Sequence, residues 1–147
     1  MIRKLDTIQK QENLNTVFAV DEKGNGNANH KYYVILDSCI LKDTTAYDSK
    51  GNVIFSNANL DLNTLVEKNV EVIKFQDGAR NTNNAIKGVL DTDLLEIVRD
   101  RLIGFQSGAF ASKYNEEALY HVEKALEFMN ERVMERVSRG VQGTHNK

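Results

Sequence analysis

The last third of the chain carries two apolar repeats in succession, and they limit the fold more than any other feature. From Thr92 to Gln106, Leu95, Val98, Leu102 and Phe105 recur at intervals of 3, 4 and 3 residues, which places them in one stripe along a helix. Asp91 or Thr92 stands where it can cap the first turn, and Asp93 and Glu96 suit the positive pole of the helix dipole. A second helix is expected from about Glu116 to Arg139. There Leu119, Val122, Leu126, Met129, Val133 and Val137 are spaced 3, 4, 3, 4 and 4, close to a coiled-coil seam. Between the two lies SGAFASKYN, Ser107 to Asn115, where Gly108 is expected to end the first helix and Asn115 to cap the second. The combination predicts an antiparallel helical hairpin. Such a hairpin covers one side of each helix only. The remaining apolar surface needs the N-terminal half, a second copy of the chain, or both.

Upstream the pattern changes to strands. TVFAV at Thr16 to Val20, KYYVIL at Lys31 to Leu36, Val53 to Phe55 and the alternating VEVIKF at Val70 to Phe75 read as β, being β-branched and aromatic. Residues 1–15 are poorly patterned, either a short helix or a loose lead-in. Asp21 to His30 is built of turn residues, and Asp48 to Asn52 makes a good hairpin turn. GNGNANH resembles a glycine-rich phosphate loop in composition, but a strand follows it rather than a helix, so it reads as a hairpin loop. Gln76 to Gly88 is a polar loop leading to the first long helix. Strands come first and helices last, and the connections are too short for βαβ crossovers. The expected fold is therefore α+β: a mainly antiparallel N-terminal sheet over residues 1–88, then the helical hairpin over residues 89–147.

Composition removes several function classes. The 147 residues carry a net charge of −2 with a pI near 5.9, which disfavours DNA binding through a basic surface. Cys39 is the single cysteine, so no intrachain disulfide can form and no oxidising compartment is indicated. No apolar run reaches membrane-spanning length, and MIRKLDTIQKQEN lacks the apolar centre of a signal peptide. A cytosolic protein is expected. His30, His121 and His145 are scattered without metal-site spacing. His121, on the flank of the second seam, is expected to be half-buried and neutral. Cys39 reads as a core thiol, and Asp91 with Asp93 as helix-start residues. With no nucleophile elbow either, no enzyme and no cofactor is expected.

The informative cluster is at the end of the second helix. Arg132, Arg136 and Arg139 are spaced 4 and 3, so they share one flank beside the seam. Glu135 is within reach of Arg132 or Arg139, whereas Arg136 has no carboxylate three or four residues away. Guanidinium groups beside an apolar stripe suit an anion with an aromatic part, since they bind phosphate bidentately and stack on bases. On spacing alone, a solvated basic helix end is the stronger reading. Glycine-rich turns such as RGVQGTH, Arg139 to His145, can also hold phosphate, though a frayed terminus is the commoner use of such a segment.

The segment LLEIVRDRLIGFQSGAFASKYNEEALYHVEKALEFMNERVMERVSRGVQGTH resembles the helical-hairpin domain of phage sponge proteins. That domain is shared by Thoeris anti-defence proteins of the first-described type and by an anti-CBASS cyclic-dinucleotide sponge. The residues that carry the resemblance are RL-x-x-FQ-x-G-x-FA from Arg101 to Ala111, Asn115 with Ala118 and Leu119, R-x-x-x-R at Arg132 and Arg136, and RGVQGTH. The β-rich first half, with GNGNANHKYYVI and IKFQDG, is similar to the Thoeris type. The resemblance implies a protein that sequesters glycocyclic ADP-ribose signals without cleaving them, with the ligand held between two protomers of a dimer. Dimers in such a family can assemble further into hexamers, and some members hold cyclic di- or trinucleotides at separate sites. Carried over by residue, Phe105 would stack on the base, Asn115 would hydrogen-bond in the pocket, and Arg132 and Arg136 would clasp the pyrophosphate. Arg80 would reach the same pocket, while Arg139, Thr144 and His145 match motif positions without an assigned role. Two places depart from the family pattern. ARNTNNAIKG, after FQDG, lacks the expected proline and N-G turn, and the acidic residue of the exit is here Gln142. The alternatives that remain are an enzyme degrading the same nucleotides and an assembly module with a basic helix end.

Overall fold

The computed structural model describes residues 2–36 and 70–147, together with the paired backbone of 46–47 and 53–54. Two compact units divide the chain, Met1–Phe75 and Gln76–Lys147. The fold is α+β, with the strands first and the helices last.

In the first unit the strands are β1 (Arg3–Lys4), β2 (Thr16–Ala19), β3 (Lys31–Ile35), β4 (Ala46–Tyr47), β5 (Val53–Ile54) and β6 (Val70–Lys74). One sheet has the order β1-β2-β3-β6, and β4 pairs with β5 in a second. Every pairing is antiparallel. β2 and β3 are in register Phe18↔Tyr33 and Thr16↔Ile35. Phe18, Ala19 and Ile35 are buried, with Ile2, Val20 and Val70 packed against them. Tyr32 meets Phe75 edge-on, with ring centroids 5.6 Å apart.

The first fifteen residues hold a strand, neither a helix nor a lead-in. Arg3 pairs with Ala19 and Lys4 with Phe18, and Leu5 N–H donates to the Val17 carbonyl at 2.9 Å. Two residues are too few to show a period, so only the partner strand reveals them. The glycine-rich segment is a hairpin loop between β2 and β3. Asp21 Oδ2 accepts from His30 N–H at 2.8 Å, Asn29 Nδ2 donates to the Asp21 carbonyl at 2.6 Å, and Gly26 takes φ +71°. Cys39 and the Asp48 to Asn52 turn lie outside the described residues.

The second unit begins with a closed loop. Gln76 N–H donates to Val89 O at 3.0 Å, and Asp77 and Ile86 exchange two backbone bonds of 3.0 and 2.8 Å. Helix α1 (Asp91–Gln106) follows, then α2 (Lys113–Ser138), packed together as the expected hairpin. The capping residues differ from expectation. At α1 the cap position is Leu90, whose N–H donates to Asp93 Oδ2 at 2.8 Å; Asp93 supplies the reciprocal bond of a capping box, and Asp91 and Thr92 lie inside the first turn. At α2 the cap is Ser112, whose hydroxyl accepts from Asn115 N–H at 3.1 Å. The helix thus starts a turn earlier, because Gln106 Oε1 accepts from Ser112 N–H at 2.9 Å and holds the chain there.

Neither helix has a buried side chain. Leu95, Leu102, Leu119, Val122, Leu126, Met129 and Val133 are half-buried along the seam, whereas Val98, Phe105 and Val137 at its margins are exposed. His121 is exposed rather than half-buried, with its ring edge-on to Tyr120 at 5.3 Å. Arg99 Nε bridges the hairpin to Glu123 Oε1 at 3.1 Å. Among the described residues no helix is long and apolar enough to cross a membrane.

Candidate functional site

The residues singled out by the sequence fall into two groups at opposite ends of the hairpin. Asn115 stands in the first turn of α2 and Arg132 17 positions later. At 1.5 Å per residue they are about 26 Å apart along the axis. Phe105, one residue from the end of α1, belongs with Asn115 at the connecting turn. Arg136, Arg139 and Thr144 belong with Arg132 at the exit.

At the turn end, Phe105 is 38% exposed. One face of its ring carries the Arg101 guanidinium, 5.3 Å from the ring centroid, and that pairing follows from the i, i+4 spacing of Arg101 and Phe105 on α1. The pair presents an aromatic face backed by a cation, a surface on which a purine stacks. Asn115 Nδ2 donates to the Phe110 carbonyl at 3.0 Å, which fixes the amide plane and leaves its oxygen as an acceptor. Phe110 is 78% exposed and Tyr114 87%. Phe110 belongs to the motif that carries the family resemblance, without an assigned role; Tyr114, in the first turn of α2, was not singled out from sequence.

The exit end is organised around a helix C-terminus. Gly140 takes φ +70°, its N–H donates to Val137 O at 3.0 Å, and Val141 N–H donates to Arg136 O at 3.0 Å. These two bonds are the Schellman closure that glycine at this position permits. The chain then folds back under the arginines. Arg136 donates from Nη1 to the Asn146 carbonyl at 2.9 Å, and from Nη2 to the carbonyls of Val141 and Thr144 at 3.0 Å each. Thr144 Oγ1 donates to Val141 O at 2.6 Å. Arg139 donates from Nη1 to Lys147 O at 2.7 Å and grips Glu135 through Nε and Nη2, the latter at 3.0 Å. That grip holds the Glu135 carboxyl below the usual glutamate range, against a smaller opposing cost of desolvation.

The three arginines therefore differ in state. Arg139 is neutralised by Glu135. Arg136 keeps its charge but has three N–H groups on carbonyls, including both hydrogens of Nη2. Each two-pronged grip of a guanidinium uses Nη2, so Arg136 offers no free fork. Arg132 is exposed and lowers the Glu135 carboxyl only through its charge, as the smallest contribution.

Arg80 is brought to this same end. Asn81 N–H donates to the Gly143 carbonyl at 3.1 Å, and a Cβ on Gly143 would lie 2.6 Å from Asn81 Nδ2 and 3.3 Å from Arg80 Cγ. The loop is closed on itself by Thr82, whose N–H and hydroxyl both donate to the Ala79 carbonyl, at 2.9 and 2.7 Å. The Thr82 turn stands where proline and an N-G turn were expected. The buried Oε1 of Gln142 has no hydrogen-bond partner. Among the described residues, no group of three or more His, Cys, Asp or Glu side chains converges as a metal site would require.

No family model matches this sequence. A curated relative does. The chain is 31% identical over 121 residues to a protein of Bacillus phage SBSphiJ7 described as Thoeris anti-defense 1, an alignment that spans 82% of each chain.

Proposed function

The chain belongs to the Thoeris anti-defense 1 family, and from that premise we propose that it disarms Thoeris by sequestering its nucleotide signal rather than by destroying it. The ligand is glycocyclic ADP-ribose, taken up in the cytosol of the infected cell. Its purine lies on Phe105 with Asn115 at the ring edge, and its diphosphate is gripped by the Arg132 fork, in the positive field of Arg136 with Arg80 beside it.

The observation that carries this reading is the separation of the two groups. A base platform at the turn end of the hairpin and a set of guanidinium groups at its exit end, about 26 Å away along the helix axis, cannot hold one small nucleotide. Two copies laid antiparallel bring the turn end of one against the exit end of the other, and the arrangement yields two equivalent sites per dimer. The exposed apolar side chains of the hairpin, Ile97, Tyr120, Phe128, Met134 and Val137 among them, supply the surface that such pairing covers. Binding without chemistry needs no more than this, since rigid helices hold each contact in place before the ligand arrives.

Calorimetry with glycocyclic ADP-ribose tests the proposal, followed by heat denaturation and chromatography of the supernatant. Saturable binding with intact nucleotide recovered supports a sponge. A hydrolysed product would show an enzyme instead, and no heat at micromolar ligand with folded protein would remove the reading. Cyclic di- and trinucleotides titrated in the same way report whether a further ligand class is held.

A further inference from the structure

Arg136 sits in the middle of the arginine row, and its hydrogen bonds run backwards into its own chain. Three carbonyls, those of Val141, Thr144 and Asn146, converge on one guanidinium. No carboxylate takes part, so the group is a charged clamp on backbone dipoles. Five residues after Arg136, the Val141 carbonyl also accepts from the Thr144 N–H and hydroxyl, and the turn at 141–144 is pinned from both sides. At its tip is Gly143, at φ +77°. The Gly143 carbonyl receives Asn81 N–H, and the bare Cα leaves room for the Arg80 and Asn81 side chains, where a Cβ would displace Asn81 and crowd Arg80.

We propose that the exit turn is a latch for the Arg80 loop, with Arg136 and Gly143 as its positioning residues. Besides the field it puts on the diphosphate, Arg136 acts through the turn: it fixes Gly143, Gly143 fixes Asn81, and Asn81 presents its neighbour Arg80. The proposal rests on the sponge reading for its ligand but not for its mechanics. It divides the labour of the arginines, with Arg132 free to fork a phosphate and Arg136 holding the second cation in reach. Lysine at 136 would keep the charge but lacks the planar fan of donors that spans three carbonyls.

The test has a ligand-free arm and a ligand arm, both on the full chain. Without ligand, the Asn81 amide is expected to exchange at least tenfold faster with solvent in Arg136→Lys and in Gly143→Ala than in the parent, and trypsin to cut faster after Arg80. Exchange in the middle of α1 should stay within twofold. With glycocyclic ADP-ribose, Arg136→Lys is expected to lose tenfold or more in affinity although its charge is kept. Gly143→Ala and Arg80→Ala should be sub-additive, the double variant binding within threefold of the weaker single one, because the first already misplaces the side chain that the second removes. If Arg136→Lys fails to fold, Gly143→Ala carries the same test with every guanidinium present. Unchanged Asn81 exchange in the variants, or strictly additive losses, would overturn the latch. A parent protein that binds no cyclic nucleotide overturns the sponge reading instead, and Asn81 exchange then still decides the latch.

Discussion

Arg132 is exposed, so its substitution separates function from folding, whereas Phe105, 38% exposed at the margin of the seam, carries some packing as well. Phe105→Ala is expected to weaken binding of glycocyclic ADP-ribose by roughly 1–3 kcal/mol through lost stacking. Arg132→Glu should abolish binding, because it sets a carboxylate where phosphate is to sit. Its melting temperature should barely move, since exposed changes of this kind stay within about 0.5 kcal/mol. Calorimetry and thermal melting on the same samples check both. Glu135 offers a pH prediction. Its carboxyl is held below the ordinary glutamate value, first by the hydrogen bond from Arg139. The pair therefore contributes at neutral pH and keeps contributing down to the acid side of that range. It is lost as pH falls through the lowered folded-state value, and salt weakens it because the pair faces solvent. Carboxyl NMR of Glu135, against an Arg139→Gln variant whose titration returns toward the ordinary value, tests the assignment. The sequence showed these arginines as one row, and spacing does place them together. Spacing also put Glu135 within reach of Arg132 or Arg139 and left Arg136 without a carboxylate, and the structure gives Glu135 to Arg139. The clamp made by Arg136 was not legible, because its partners are carbonyls, which every residue carries.

At the scale of elements, the hairpin was readable and its ends were only partly so. Intervals of 3 and 4 identify a helix because they match its turn, whatever it packs on. Ser112 and Asn115 are both good caps, three positions apart; the structure uses Ser112, whose N–H is held by the Gln106 side chain from the other helix. Gly108 and Gly140 both stand just past a helix end, and they differ. Gly140 has φ +70°, whereas Gly108 has no positive φ and open space where a Cβ would go. Gly140→Ala is accordingly expected to cost about 1–2 kcal/mol, while Gly108→Ala should be neutral or slightly stabilising. Chemical denaturation of the two variants compares them directly.

For the whole molecule, an α-hairpin without one buried side chain is an incomplete core. Phe128 is 69% exposed on α2, in the stretch between the two groups of candidate residues. A charge there should weaken pairing of copies and ligand binding together, since each site draws on both chains. Phe128→Glu is expected to sediment toward the monomer and to lose glycocyclic ADP-ribose binding, although its side chain touches no ligand. A variant that sediments as the parent does and still binds would argue for a site made within one chain. The parent should sediment as a dimer or a multiple of it.

By itself the sequence determined the kinds of element, their order and the class of fold, because helix and strand periods are local properties that a chain displays before it packs. It also displayed the chemistry available, an aromatic ring, an amide and a run of guanidinium groups. Only the tertiary structure decided that the Arg136 guanidinium closes on three backbone carbonyls, and that the Arg80 loop meets the exit turn from some sixty residues away in the chain. Those outcomes depend on which backbone carbonyls come within hydrogen-bond distance once the chain has turned back on itself, and no spacing along the sequence encodes that.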